Sequence, residues 1–127
     1  IPGGMGARPE ADGLDAVQTH MTNTRNTPVE ALELDLPVRV ERLAVRRGSG
    51  GAGLRRGGAG LVRRLRFLVA VRAGLVAERF LRSPYGLGGG GAGRAGRARL
   101  VRADGRSTAL PSKWTLPIEA GAALELE

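Results

Sequence analysis

The sequence predicts a mainly β fold, an antiparallel sandwich or barrel-like module with at most one or two short helices. Three observations carry that reading. Apolar residues recur at every second position in several short runs. Glycine, 21 of the 127 residues, divides those runs. Asp104-Gly105 stands between two of them, the strongest short-range hairpin signal a sequence offers.

Residues 1–36 read as a polar loop followed by a short helix, and residues 37–127 as the β-rich region, the whole forming one domain. The opening IPGGMGARPEADG has the glycine and proline content of a loop and lacks the order of a signal peptide. Starting at Ile1, it is expected to be a piece of a longer polypeptide. Residues 17–33, VQTHMTNTRNTPVEALE, then gather the only histidine of the chain with two asparagines and four threonines. Asn23, Thr24, Arg25, Asn26 and Thr27 suit a turn and cap, and Pro28 suits the start of a short helix in PVEALEL.

In LPVRVERLAVRRG, Val38 and Val40 alternate, the phase slips near Arg42, and alternation resumes at Leu43 and Val45. That is a strand with a bulge. GSGGAGLRRGGAG, residues 48–60, reads as a turn between strands; the alternative is an anion site made by its backbone N–H groups with Arg55 and Arg56. In VRRLRFLVAVRAG, Leu65, Phe67, Val69 and Val71 fall on one side and Arg64, Arg66, Leu68, Ala70 and Arg72 on the other, the pattern of a half-buried strand. A basic amphipathic helix through Leu61, Leu65, Leu68, Val69, Val76 and Phe80 ranks second, because Gly74 interrupts it.

GLGGGGAGRAG, residues 86–96, contains the dinucleotide-fingerprint spacing at Gly88, Gly90 and Gly93. Without a strand-to-helix context it is read as a flexible or tightly turned loop. RARLVRADGRSTAL follows as the hairpin. In KWTLPIEAGAALELE, Trp114, Leu116 and Ile118 share a face, a turn falls near Ala120-Gly121, and Ala122, Leu124 and Leu126 alternate with glutamate. A further strand pair is expected, with Pro117 on an edge or at a bulge because it cannot donate to a ladder.

Composition narrows the function classes. No cysteine is present, which excludes disulfides, thiolate metal sites and cysteine nucleophiles. Arginine interrupts every apolar run short of the roughly 20 residues a membrane helix needs, so no membrane partner is expected and the cytoplasm is the expected compartment. The net charge of +8 is uneven: −3 over residues 1–45, +14 over 46–113 and −3 over 114–127. Nineteen of the twenty basic residues are arginine, which with alanine and glycine has GC-rich codons; base composition is thus an alternative source of the excess and weakens it as functional evidence. Phe67, Phe80, Tyr85 and Trp114 are the whole supply of stacking residues. Nucleic-acid binding is therefore the weaker reading.

His20 could move protons near neutral pH or supply one metal bond. A metal site needs converging ligands, and Asp12, Asp15 and Asn23 are the nearby oxygens. A histidine bonded to backbone is the plainer reading, and whether a metal binds stays open.

The order GGMGARPEADGLDAVQTHMTNTRNTPVEALE, LPVRVERLAVRRGSGGAGLRRGGAGLVRRLRFL, PYGLGGGGAG, a hairpin and LPSKWTLPIEAGAALELE resembles the C-terminal part of the hydantoinase B/oxoprolinase family. The resemblance covers essentially the whole chain, with residues 19–30 and 47–60 its most specific parts. It implies part of a larger subunit of an ATP-dependent enzyme that opens a small cyclic amide. It also implies an A-type partner that uses ATP and Mg to phosphorylate the substrate, and an N-terminal part of the same subunit that completes the site.

Carried over by that resemblance, His20 and Asn23 are the candidate catalytic residues, and Thr24, Arg25 and Asn26 the candidate substrate-binding ones. Two departures qualify it. Members are several times longer, so this chain is expected to be inactive alone. Many relatives have His-Thr-His where this sequence has Gln18-Thr19-His20, which removes one imidazole. The alternative function is a stand-alone basic β module binding nucleic acid or another polyanion.

Overall fold

The computed structural model describes residues 1–19, 21 and 24–127. They form one helix, α1 (Val29–Asp35), and seven strands: β1 (Val38–Val45), β2 (Leu61–Phe67), β3 (Val71–Val76), β4 (Ala98–Val101), β5 (Ser107–Leu110), β6 (Lys113–Ile118) and β7 (Ala123–Leu126). Strands β1-β2-β7-β4-β5, in that order, make one sheet and β3-β6 a second. Every pairing is antiparallel. Among the described residues neither sheet closes into a barrel, and the mainly β expectation holds as two stacked layers.

Proline 28 precedes the helix, which starts at Val29, and its carbonyl accepts the Leu32 N–H at 3.0 Å. Leu32 reaches the core, while the Glu33 carboxylate accepts the Val40 N–H at 2.6 Å and ties α1 to β1.

The phase slip in β1 is a β-bulge. Val40 lies opposite Leu65 and Arg42 opposite Arg64, which leaves Glu41 as the extra residue. The bulge restores Leu43 and Val45 to the face shared by Val38 and Val40. It also turns the Glu41 carboxylate toward β2, where it accepts from Arg64 Nε at 2.8 Å and from Arg66 Nε.

Two expectations are corrected. The strand read through residues 62–74 is two strands in different sheets, β2 and β3, joined by residues 68–70. Val69, expected on the buried side, is 47% exposed. Turning the corner lets Phe67 and Val71 enter one core from opposite layers, which a continuous strand would not do; the helical alternative fails with it. The pair expected from residues 114–118 and 122–126 does not exist either. The turn at residues 119–122 is where expected, but β6 pairs with β3 while β7 lies between β2 and β4. Alternation reports which face of a strand is buried and is silent about its neighbour.

The hairpin follows the sequence. Arg102 N–H donates to the Arg106 carbonyl at 2.8 Å, Gly105 N–H to the Arg102 carbonyl at 3.0 Å, and the Asp104 carboxylate accepts the Arg106 N–H at 2.9 Å. Gly105 takes the left-handed conformation, φ 86°, that such a three-residue loop requires. Pro117 lies opposite Arg72 in the two-stranded sheet, where each strand has a free edge.

The core joins both layers: Val38, Phe67, Leu100 and Leu124 from the larger sheet, Ile118 from the smaller, and Ala122 between them. Trp114, Leu116, Val71 and Ala73 line the smaller sheet's inner face. Ile118 is 2% exposed. Its truncation to alanine should lower unfolding free energy by ~3 kcal/mol in urea titrations, since buried Ile→Ala changes cost about 2–5. Leu34→Ala, at a position 87% exposed, should stay within about 0.5 kcal/mol of the parent.

Candidate active-site platform

The glycine-rich segments come together at the end of the larger sheet where β1 ends and β2 begins. Residues 1–16 fold back on themselves through an isolated bridge between Arg8 and Ala11. They run along the β1–β2 loop: Gly58 N–H donates to Met5 O at 2.8 Å, Gly13 N–H to Arg56 O at 2.7 Å, Ala16 N–H to Ala59 O at 2.7 Å and Leu61 N–H to Pro2 O at 3.2 Å. The segment 84–96 is stitched to the other side of that loop. Gly91 N–H donates to Ala52 O at 2.6 Å and Arg94 N–H to Ser49 O at 2.8 Å. It is a held loop rather than a flexible one.

Such proximity of backbones explains the composition. A Cβ added at Gly58 would sit 2.0 Å from the Leu14 carbonyl oxygen. Only glycine allows main chain to meet main chain there.

Side chains lock the assembly. Arg46, 8% exposed, directly follows β1, with Nη1 donating to Ala95 O at 2.8 Å and Nε paired with Glu127 at 2.8 Å. The Ser49 hydroxyl accepts the Gly60 N–H at 2.9 Å. Asp12 accepts the Arg56 N–H at 2.8 Å, and Asp15 accepts the Ala59 N–H at 2.8 Å and Arg56 Nη1 at 3.0 Å. The 48–60 loop thus does receive anions through its backbone and Arg56, and they are the chain's own Asp12 and Asp15. The Ala59 N–H first, and Arg56 second, hold the Asp15 carboxyl below its ordinary pKa.

The polar segment leaves this platform immediately after Ala16, whose positive φ of 56° marks the turn. Gln18 Nε2 donates to the Thr24 carbonyl and to Asn26 Oδ1, both at 3.4 Å. Of the five expected site residues, Thr24 and Asn26 are thereby gathered around Gln18, and Arg25 lies exposed between them. His20 and Asn23 lie outside the described residues. Gln18 was read only as a substitution for histidine; nothing in sequence spacing foretells a contact across an irregular turn. Among the described residues no group of three or more His, Cys, Asp or Glu side chains is placed to hold a metal ion.

The basic middle of the chain is partly consumed internally. Glu41 binds Arg64 and Arg66, Glu125 lies 3.7 Å from Arg64, and Arg66 Nη1 donates to the Gly121 carbonyl. No helix of the described residues is long and apolar enough to cross a membrane.

A two-layer β scaffold whose glycine-rich loops carry a polar segment at one end defines the class: a platform module with a candidate site on its loops. The chain belongs to the Hydantoinase B/oxoprolinase family, whose model matches residues 1–127. It is 44% identical to 5-oxoprolinase 1 of Arabidopsis thaliana over 99% of its own length and 10% of the relative's. It is 42% identical to 5-oxoprolinase of Dictyostelium discoideum over 94% and 9%, respectively. The chain therefore spans about a tenth of the length of these two relatives. Its fold is similar to that of the ATP-dependent caprolactamase from Pseudomonas jessenii, with TM-score 0.73 at 22% identity, covering 98% of this chain and 23% of that one.

The Asp15 carboxyl gives a pH signature. Its folded pKa is depressed, so the unfolded chain takes up the proton first as pH falls. The stability it contributes is complete above the ordinary aspartate range and is lost as pH drops through the depressed folded value. Asp15→Asn should lower the thermal midpoint at neutral pH, and the gap to the parent should close as the acid limb is descended. Calorimetry at stepped pH measures both.

Proposed function

We propose that the whole protein opens a small cyclic amide at the expense of ATP, with this chain forming one part of the subunit that completes the hydrolysis. The observation that supports it is the family match over residues 1–127, together with the 44% identity to a 5-oxoprolinase. An unstrained lactam resists water because its nitrogen is a poor leaving group and its carbonyl is resonance-stabilised. Phosphorylating the carbonyl oxygen makes its carbon electrophilic: water adds there, the ring C–N bond breaks as the nitrogen takes up a proton, and a second water releases phosphate from the resulting acyl phosphate; ATP and Mg, held on an A-type partner, would provide the phosphoryl group.

In this reading the segment 18–26 is one wall of the substrate site. Its other wall comes from the remainder of the same subunit. His20 is proposed to move a proton and Asn23 to hydrogen-bond the reacting group. Thr24, Arg25 and Asn26 would bind substrate, with Arg25 supplying positive charge and the others neutral donors and acceptors. Gln18 positions Thr24 and Asn26 and is added to the site as a positioning residue. The platform fixes the start of the segment by main-chain bonds, the rigid support a site of this kind needs.

The test is steady-state kinetics of the full-length subunit reconstituted with its A-type partner. His20→Ala should reduce ATP-coupled ring opening roughly 100-fold or more, in the range that general acid–base groups contribute. Asn23→Ala should reduce it as well. Thr24→Ala and Asn26→Ala should raise KM more than they lower kcat. Unchanged turnover in the His20 and Asn23 variants would sink the site assignment, and absence of ATP-dependent ring opening in the parent would sink the function.

A further inference from the structure

We infer that a groove beside β4 and β5 docks an extended, acidic and apolar segment of the same enzyme's remaining polypeptide. The groove encloses about 320 Å³, and its lining includes Phe80, Leu81, Arg97, Arg99, Ala109 and Pro111. This inference rests on the reading of the chain as one part of a larger enzyme.

Charge selects the occupant. Four charged side chains line the groove: Arg97, Arg99, Glu125 and Glu127. Glu127 is held by Arg46 at 2.8 Å and Glu125 lies 3.7 Å from Arg64, both arginines lying outside the groove. Among the described residues Arg97 and Arg99 enter no ion pair. Although Arg99 lies opposite Glu125 in the ladder, both glutamates are engaged by arginines outside the groove, which leaves Arg97 and Arg99 beside apolar side chains without ion pairs of their own, complementary to carboxylates flanking an apolar side chain.

Apolar exposure points the same way. Leu81 is 94% exposed at the rim. Phe80 beside it packs its ring on Gly96, where an added Cβ would come within 2.7 Å of it, and Gly96 N–H donates to Arg79 O at 2.8 Å. The wall is preformed and does not need the occupant to build it.

The open edge of β5 sets the occupant's conformation. β5 is the last strand of its sheet. Arg102 opposes Arg106 through a hydrogen bond, and pairs alternate along an antiparallel ladder, so Ser107 and Ala109 turn their N–H and C=O groups away from β4. Ala109 itself lines the groove. An extended segment can bond to these two residues while its side chains meet Leu81, Pro111 and the arginines, which is strand addition limited to a short edge.

Hydrogen exchange of the full-length enzyme without its partner tests this. The amides of Ser107 and Ala109 should exchange at least tenfold more slowly in the parent than in the Arg97→Glu/Arg99→Glu double variant. Leu81→Asp, at a position 94% exposed on this chain and so outside its own core, should release them similarly. Rapid exchange in the parent, or slow exchange untouched by either variant, overturns the inference. Protection that grows with enzyme concentration would assign the groove to a second copy, and protection that appears only with a separate partner subunit would assign it there; both overturn the occupant named here. ATP-coupled turnover of the parent is read separately, so the proposed function and this interface fail independently.

Discussion

The fold depends on how the chain is clasped at Phe67. Its N–H donates to the Ala122 carbonyl at 2.9 Å and its carbonyl accepts the Gly121 N–H at 2.8 Å, while its ring lies in the core. Both crossings between the layers meet there, one running from β2 to β3 and the other from β6 to β7. A two-stranded sheet has little stability of its own in water. The β3–β6 ribbon persists because the clasp delivers its apolar face, Val71, Ala73, Trp114, Leu116 and Ile118, onto the larger sheet. Arg66 strengthens the clasp by donating to the Gly121 carbonyl.

Local features were legible in the sequence because their causes are local. The bulge at Glu41 showed as a slipped phase, the hairpin as Asp104-Gly105, and the turn before β7 as Ala120-Gly121. Partnership was not legible. Residues 114–118 and 122–126 alternate as strands should, yet join different sheets, because the choice is made by Phe67 and Val71, some fifty residues away in sequence. The glycine blocks were recognisable as loops, but nothing in a run of glycines states which other run it will touch. Gln18 stayed hidden for a related reason: its partners lie across an irregular turn, where no period applies.

Charge teaches a similar lesson. A surplus of +14 over residues 46–113 invites a search for an external polyanion. Much of it is met inside. Asp15 comes to the Arg56 guanidinium from the N-terminal segment, Glu41 to Arg64 and Arg66 from β1, and Glu127 to Arg46 from the end of the chain. The acidic flanks and basic middle are two parts of one electrostatic assembly, in which sequence blocks of opposite sign find each other on folding.

The loop platform is held chiefly by bonds between main-chain atoms, with glycine admitting the approach. Peptide groups are the same whatever side chains they carry, so the support does not depend on the identity of residues 18–26 that it presents. The structural demand on residues 1–16, 48–60 and 84–96 is thus separate from the chemical demand on the stretch they carry: glycine and peptide groups meet the first, and the particular side chains of the polar segment meet the second.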